Sequence, residues 1–219
     1  MSNSSKQRKK IPPPALKRLT KYYAFVQELL EQGVDYISSQ QIADRHGLTS
    51  STVRQDLLYL DFTSQSQRGY NTYEFKDALK CVFGADKTWK LAVIGAGNLG
   101  QALALHGEFA RRGFNISGIF DSDPKKIGQF VGSTKIRSMD EVSVFVQEHG
   151  VDVAVIAVPA QAAQDVADLL VASGIKGILN LTLTHIVVPS GVAVVEARIV
   201  ASLFELSHII KSAELDGLE

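Results

Sequence analysis

Three glycines in the middle of the chain have the spacing of a phosphate-binding loop. Gly95, Gly97 and Gly100 lie in the segment VIGAGNLGQAL, which follows a predicted strand and opens a predicted helix. Such glycines allow a tight turn, a close approach of the backbone to a pyrophosphate, and close packing of the helix on the strand. The amides of Asn98 and Leu99 would lie at the helix N-terminus, where partial positive charge favours phosphate. The spacing therefore predicts a dinucleotide site.

An acidic residue stands where such a site binds a ribose. Asp121 follows Gly100 by twenty-one residues and ends the next predicted strand. A carboxylate at that point accepts a hydrogen bond from the ribose 2′-hydroxyl and repels a 2′-phosphate, so the sequence favours NAD(H) over NADP(H). A domain of the same kind that holds another nucleotide or coenzyme A is the alternative interpretation.

The remaining sequence offers little for catalysis. The five histidines are scattered, and no histidine–cysteine cluster has metal-ligand spacing. His185 lies in a predicted loop, and Cys81 lies in a predicted amphipathic helix where a core role is the better interpretation. Fewer than a hundred residues follow Asp121, which is enough to finish a sheet and add one helix. We therefore expect no catalytic residue and no metal site, with the dinucleotide acting as a signal; a small NAD-dependent oxidoreductase is the alternative.

The N-terminal third has the signature of a helix-turn-helix unit. Such a unit needs a small residue where the two helices cross, a glycine in the turn, and an apolar residue that packs back onto the first helix. Ala43, Gly47 and Val53 supply these at offsets of four and six residues. Residues 62–72, rich in Ser, Gln and Gly, predict a short hairpin or wing. A plain three-helix bundle with coincidental spacing is the alternative.

Polar and basic side chains in this region are of the types that bind double-stranded DNA. A polar run starts the third predicted helix, at the end that meets base edges in the major groove. Further along, an arginine can contact guanine and a glutamine can contact adenine. The basic start of the chain and an arginine in the wing would add phosphate or minor-groove contacts. The predicted DNA-binding residues are Lys10, Arg18, Ser50, Ser51, Thr52, Arg54, Gln55 and Arg68.

Apolar periodicity predicts four helices in a first domain, which we place at residues 1–84. The predicted helices span residues 15–32, 40–46, 50–60 and 73–83. In the first of them one face carries the apolar side chains Leu16, Leu19, Tyr23, Val26 and Leu30.

Strands and helices alternate after Lys90. The segments KLAVIG, FNISGIFD and VDVAVIAV are typical of buried strands, and the first two flank a helix predicted over residues 98–112. The alternation predicts an α/β Rossmann domain with a doubly wound parallel sheet over residues 85–196. Residues 197–219 form a separate C-terminal segment that contains one amphipathic helix.

Composition narrows the class of protein. The net charge is zero, but residues 1–84 carry 12 Lys and Arg against 8 Asp and Glu, whereas residues 85–219 carry 11 against 15. A basic N-terminal domain fits a nucleic-acid partner. The single cysteine, the lack of a signal-peptide pattern and the shortness of the apolar segments predict a cytoplasmic protein without a membrane span.

Together these segments resemble the Rex family of redox-sensing transcriptional repressors, from Pro12 to Ile210. The resemblance rests on IPPPALKRLTKYY, SSQQIADRHGLTSSTVRQDL, VIGAGNLGQAL, GFNISGIFDSDPKKIG, IAVPA, SGIKGILNL and LFELSHIIK. It implies a homodimer that binds an A·T-rich inverted repeat, from which NADH releases it while NAD+ favours the bound form. It also implies that the last helix swaps across the dimer, and it adds Val158 and Pro159 to the predicted cofactor-binding residues.

Three departures from that family's pattern affect what the resemblance implies. The wing, SQSQRGY, lacks two of the usual basic or glycine positions, which leaves the operator preference open. His106 stands where relatives usually carry tyrosine, and Arg198 stands where they usually carry aspartate. In relatives that pair couples the cofactor state to an arginine that corresponds to Arg18. We therefore predict that this coupling is absent or rewired, so that DNA binding responds to NADH but less to NAD+.

Overall fold

The structure is a computed structural model that describes residues 10–61, 65–66 and 68–216. It divides into two compact units, Met1–Lys87 and Thr88–Glu219, and each unit has hydrophobic clusters of its own. The basic start up to residue 9, and residues 62–64 and 67 of the predicted wing, lie outside the described residues.

In its described residues, the N-terminal unit contains four helices and a small antiparallel sheet. Its elements are α1 (Pro13–Glu31), β1 (Tyr36–Ile37), α2 (Ser39–His46), α3 (Ser50–Leu57), β2 (Gln65–Ser66), β3 (Gly69–Asn71) and α4 (Thr72–Phe83). The strands pair in the order β1-β3-β2, so the β2-β3 hairpin forms the wing and β1 extends it. Helix-turn-helix and wing therefore occur together, as the sequence predicts.

Local capping sets the limits of α2 and α3. The Ser38 hydroxyl accepts a hydrogen bond from the Gln41 amide, and the Ser38 amide donates one to the Gln41 side chain. This capping box makes α2 begin at Ser39, one residue earlier than predicted. Gly47 ends α2 at φ 64° in the left-handed region, which favours glycine. The Thr49 side chain caps α3, which ends at Leu57 rather than at residue 60 because the next three amides bond to carbonyls three residues back.

The buried face of α1 differs from the prediction. Ala15, Leu19, Tyr22 and Val26 are buried, whereas Leu16 is 40% exposed. The predicted face contained Tyr23 in place of Tyr22. Tyr22 can be buried because its hydroxyl donates to a buried carboxylate of α3, a partner that periodicity alone does not reveal.

The second unit is built on a seven-stranded sheet. Its strands are β4 (Trp89–Ile94), β5 (Phe114–Asp121), β6 (Phe130–Val131), β7 (Thr134–Ser138), β8 (Val153–Ile156), β9 (Gly177–Asn180) and β10 (Ala193–Glu196). Its helices are α5 (Asn98–Leu105), α6 (Glu108–Arg111), α7 (Val142–His149), α8 (Ala163–Ala172) and α9 (Ile199–Asp216). Separate apolar clusters involve α5 on one side, and α7 and α8 on the other.

The order of the strands makes this sheet a doubly wound Rossmann sheet. It is β10-β9-β8-β4-β5-β7-β6, and every neighbouring pair is parallel except β6 with β7. The chain crosses from one half of the sheet to the other between β7 and β8. Ligands of such sheets bind in the crevice beyond the carboxyl ends of the two central strands, here β4 and β8.

Two features of this unit differ from the sequence prediction. The predicted helix over residues 98–112 is broken into α5 and α6, because His106 takes an extended conformation (ψ 100°) before Gly107. The β6-β7 hairpin was not predicted. β6 has only two residues and β7 carries two charged ones, so neither strand has the long apolar run of the central strands.

The last helix, α9, exposes nearly all of its side chains. From Ile199 to Glu214 every residue is exposed except Ser212, which is half-buried. Seven large apolar residues are among the exposed ones: Ile199, Val200, Leu203, Phe204, Leu206, Ile209 and Ile210. Within the described part of the chain, no helix is both long and apolar enough to cross a membrane.

Candidate nucleotide and DNA sites

The glycine-rich loop joins β4 to α5 at the crevice of the sheet. Gly95 has φ +102°, and a Cβ atom there would collide with the Ala157 carbonyl group; a Cβ at Gly100 would collide with the Gly95 carbonyl oxygen. These two glycines are therefore required by the fold itself. Gly97 caps α5 at φ −78°, and a Cβ there would meet nothing within 4 Å. Open space thus lies in front of the α5 N-terminus, where a phosphate would be favoured.

Asp121 is fixed beside this loop at the carboxyl end of β5. Its Oδ2 atom accepts the Ala96 amide at 2.8 Å, and its Oδ1 atom accepts the Asp123 amide at 2.8 Å. The residue is only 8% exposed. The carboxylate is therefore held in one orientation, with acceptor capacity left on Oδ1 for a ribose hydroxyl.

Lys126 is a partner of Asp121 that the sequence analysis missed. Its Nζ atom lies 3.0 Å from Asp121 Oδ2. Burial by itself raises the pKa of Asp121, but the Asp123 and Ala96 amides and the Lys126 ammonium outweigh it, so the pKa lies below its ordinary value. The ammonium also offsets the negative charge that was predicted to repel a 2′-phosphate. The segment DPKK contains the lysine, but nothing in the sequence distinguishes Lys126 from Lys125.

The other predicted cofactor residues lie around the same crevice. Asn98 and Leu99 form the first turn of α5, and Val158 and Pro159 follow β8. The Val158 side chain is among the nearest atoms to a Cβ placed on Gly95, so the loops after β4 and β8 are in contact. The structure therefore brings the glycine-rich loop, the Asp121 carboxylate and the β8 loop to one edge of the sheet.

His106 and Arg198, the two positions predicted to alter coupling, have different surroundings. His106 is exposed and its ring lies 5.6 Å from that of Phe109. Arg198 is paired at 2.6 Å with Glu196, whose other oxygen lies 2.6 Å from Nδ1 of His185. Neighbours of this kind were not predicted for His185 or Arg198. In the described residues no group of three or more His, Cys, Asp and Glu side chains could hold a metal ion.

One face of α3 is free to meet a ligand. Ser51, Arg54 and Gln55 are exposed on it, while Val53 and Asp56 face the interior. The other predicted DNA-binding residues have varied positions. Ser50 and Thr52 are half-buried, and the Thr52 hydroxyl is hydrogen-bonded to that of Thr49. Lys10 and Arg68 are exposed. The Arg54 guanidinium donates to the Ser39 hydroxyl at 3.3 Å.

Arg18 is held inside the N-terminal unit by an acid of α3. Its Nε and Nη2 atoms each lie 2.7 Å from an oxygen of Asp56, and the Tyr22 hydroxyl donates to the same carboxylate at 2.9 Å. The hydrogen bond to Asp56 raises the pKa of Arg18, although desolvation opposes it. The pKa of Tyr22 is raised mainly by burial and, next, by the hydrogen bond to Asp56. Asp56 is 2% exposed. Three donors from α1 therefore fix the position of α3.

His46, at the end of α2, is enclosed by aromatic rings. Its ring lies 5.4 Å from that of Tyr22 and 5.6 Å from that of Phe25, and its Nε2 atom is buried without a hydrogen-bond partner. Burial lowers the pKa of His46, and the charges of Lys21 and Arg45 lower it further, against a smaller opposing effect of Glu28. Folding therefore favours the neutral imidazole over the protonated one.

This histidine predicts that acid destabilises the N-terminal unit. The folded-state pKa is below the unfolded value of about 6.5, so the unfolded chain binds the proton more readily. The stability is complete above that value and falls as the pH is lowered through it. We expect the urea midpoint of the protein, followed by far-UV circular dichroism, to drop less between pH 7 and pH 5 in His46→Leu than in the wild type. Equal drops would contradict this assignment.

Two known sequence families match the chain. The family described as "Putative DNA-binding protein N-terminus" matches residues 10–57, and the family described as "CoA binding domain" matches residues 86–184. The first range covers α1 to α3, and the second contains the glycine-rich loop and Asp121.

Whole proteins of the same kind are similar along almost the entire chain. Redox-sensing transcriptional repressor Rex 1 of Thermotoga maritima is 44% identical over 92% of this chain and 96% of its own length, and the Rex of Caldicellulosiruptor saccharolyticus is 37% identical over 97% of both. Among solved structures, the Rex-family repressor RSP in complex with NAD+ and operator DNA has a TM-score of 0.89 at 34% identity, over 95% of this chain and 96% of that one. RSP in complex with NADH has a TM-score of 0.87, with 95% and 99% coverage. The chain belongs to the Rex family of redox-sensing transcriptional repressors.

Proposed function

We propose that this protein represses transcription by binding an A·T-rich inverted repeat and leaves the DNA when NADH occupies the crevice of its Rossmann unit. The observation that carries the proposal is the presence in one chain of two sites. One is the exposed polar face of α3, and the other is the open loop at Gly97 beside the fixed carboxylate of Asp121. RSP, which binds NADH, NAD+ and operator DNA, supports both assignments.

In the nucleotide site, the chain's residues have separate tasks. The amides at the start of α5 would bind the pyrophosphate, with Gly97 allowing its approach. Asp121, oriented by the Ala96 amide and Lys126, would accept a hydroxyl of the adenosine ribose. Val158 and Pro159 would contact the nicotinamide half. The nucleotide acts as a signal, and no catalytic residue is assigned. Because the proposed partner is DNA, we place the protein in the cytoplasm.

In the DNA site, two copies of α3 would enter successive major grooves, which lie about 34–36 Å apart. Residues 1–84 would serve as the DNA-binding domain and residues 85–196 as the nucleotide domain. Ser50, Ser51, Thr52, Arg54 and Gln55 would contact base edges or nearby phosphates, with Lys10 and Arg68 adding phosphate contacts. Arg18 would support DNA binding indirectly, because its bonds to Asp56 hold α3 in position.

We propose that α9, in residues 197–219, forms the homodimer by swapping onto a second copy. Its exposed apolar side chains would otherwise remain in water, which is unusual for a single chain. Phe204 is 72% exposed and a symmetric dimer contains it twice. Phe204→Asp should therefore raise the dimer Kd roughly 1000-fold, since each copy loses about 2 kcal/mol of burial. Analytical ultracentrifugation measures this, with Glu205→Ala on the same helix as the control; a dimeric Phe204→Asp would contradict the proposal.

A titration of operator-bound protein tests the function as a whole. We expect NADH to release a fluorescent A·T-rich palindrome, measured by anisotropy. If coenzyme A releases the DNA or competes with NADH, the result would favour a coenzyme A-binding protein, the alternative suggested by the description of the second matching family. Oxidation of NADH with a substrate would favour an oxidoreductase. A failure to bind any duplex would contradict the repressor function.

The same titration tests the coupling through Arg18, His106 and Arg198. Arg18 has Asp56 as a partner and Arg198 has Glu196, so each cation is neutralised by an acid of its own unit. We therefore expect NAD+ to strengthen operator binding less than NADH weakens it. Strong enhancement by NAD+ would contradict this hypothesis. A response to NADH that changes between about pH 6 and pH 8 in the wild type but not in His106→Tyr would instead assign a role to His106.

A further inference from the structure

The exposed face of α3 ends in an apolar side chain to which no role has been assigned so far. Ser51, Arg54, Gln55 and Leu58 are exposed at positions i, i+3, i+4 and i+7, which is the spacing of one helix face. Leu58 is 72% exposed, more than Leu16, Tyr36 or Tyr73, the other exposed large apolar residues in the described part of the N-terminal unit. The face therefore combines three hydrogen-bonding side chains with one that can only make apolar contacts.

Leu58 lies directly beyond Gln55 on this face. It has φ −65° and ψ −14°, so the helical path continues through it. Its amide bonds to the Gln55 carbonyl oxygen at 3.2 Å, three residues back. In a turn of this kind side chains three residues apart eclipse each other, which places the leucine next to the glutamine amide.

The two side chains match the chemistry of an A·T pair. A glutamine amide can bind N7 and N6 of adenine, and the thymine C5-methyl is the apolar group that base pairs present in the major groove. We propose that Leu58 is an operator-specificity residue that packs on a thymine methyl beside the adenine bound by Gln55. The inference rests on the proposed function, because α3 must be the helix that enters the groove.

DNA is the better occupant of this face than a protein. Arg54 brings a positive charge, and the Ser39 hydroxyl helps to orient its guanidinium on the same surface. Residues 1–84 carry 12 Lys and Arg against 8 Asp and Glu, so the N-terminal domain as a whole suits a polyanion. A protein partner would have to bury Arg54 and Gln55 in order to reach Leu58.

Single-methyl deletion in the DNA tests the proposal. The operator is first selected from a random duplex library with the full-length protein, and each thymine of its half-site is then replaced by deoxyuridine, which removes only the methyl group. For the wild type we expect one symmetrical substitution to weaken binding about fourfold per half-site, the equivalent of burying one methyl-sized group, and so roughly 15-fold in the palindrome. Leu58→Ala should bind the thymine operator with a similar loss and be insensitive to deoxyuridine at that position.

Tyr73→Ala is the matched control, since Tyr73 is an exposed apolar side chain of α4, 58% exposed. It should show the same deoxyuridine loss as the wild type. If Leu58→Ala loses as much as the wild type at every deoxyuridine, or changes the oligomeric state while DNA affinity is kept, the proposal is overturned and the repressor function stands. If no duplex is selected at all, both are overturned.

Discussion

Asp56→Ala is expected to destabilise the N-terminal unit by about 3 kcal/mol and to abolish operator binding. The substitution leaves the Arg18 guanidinium and the Tyr22 hydroxyl without their acceptor, and the loss of one partner of a buried pair costs about 3–5 kcal/mol. The lower end applies because Arg18 is 29% exposed and can be partly hydrated. Operator binding is lost because α3 is no longer tied to α1.

The single tryptophan lets the effect be assigned to one unit. Trp89 lies in β4 of the Rossmann unit, whereas helices of both units contribute to far-UV circular dichroism. In urea, Asp56→Ala should shift the circular dichroism transition and leave the Trp89 fluorescence transition in place. Glu28→Gln is the control, because it removes an exposed ion pair with Arg45 and should change stability by less than about 1 kcal/mol. If Asp56→Ala unfolds at the same urea concentration as the wild type by circular dichroism, the carboxylate does not hold α3.

Gly97→Ala is expected to weaken NADH binding roughly 30-fold while the protein folds as stably as the wild type. A Cβ at Gly97 meets no protein atom and φ is −78°, so the folded chain accepts alanine without strain. The same Cβ enters the space where a pyrophosphate would approach the α5 amides. Loss of one hydrogen bond to a charged group is worth about 2 kcal/mol. The variant should therefore remain on the operator at NADH concentrations that release the wild type.

Calorimetry with NADH, together with operator anisotropy, measures both effects. Gly100→Ala supplies the contrast, because its Cβ would collide with the Gly95 carbonyl oxygen and should damage folding before it affects any ligand. Wild-type affinity of Gly97→Ala for NADH would place the pyrophosphate elsewhere.

The sequence predicts most of the fold because its signals are local. Glycines with required conformations, capping residues such as Thr49 and apolar strands each act within a few positions of the chain. The helix-turn-helix residues Ala43 and Val53 are both fully buried, as their spacing predicts. The break at His106 and the β6-β7 hairpin were missed because their residues lack a strong local pattern.

The residues that the sequence did not reveal act over long separations. Asp56 contacts residues thirty-four and thirty-eight positions away. An acid between the buried residues Val53 and Leu57 was a possible signal, but its partners could not be read from spacing. Lys126 is five positions from Asp121, yet the pair forms only because the loop after β5 turns back on itself. Arg18 was assigned to DNA on its charge and to coupling on the family resemblance, and Asp56 is the contact that the structure adds.

The dimerisation proposed for the exposed helix α9 would make operator binding depend on the abundance of the protein. The proposed swap would cover α9 only when two chains meet, so the DNA-competent dimer would increase with the square of the free-chain concentration, by mass action. A cell that dilutes the protein by growth would then lose operator occupancy faster than it loses protein. Gene dosage and expression level would thus set the threshold at which a given NADH concentration relieves repression.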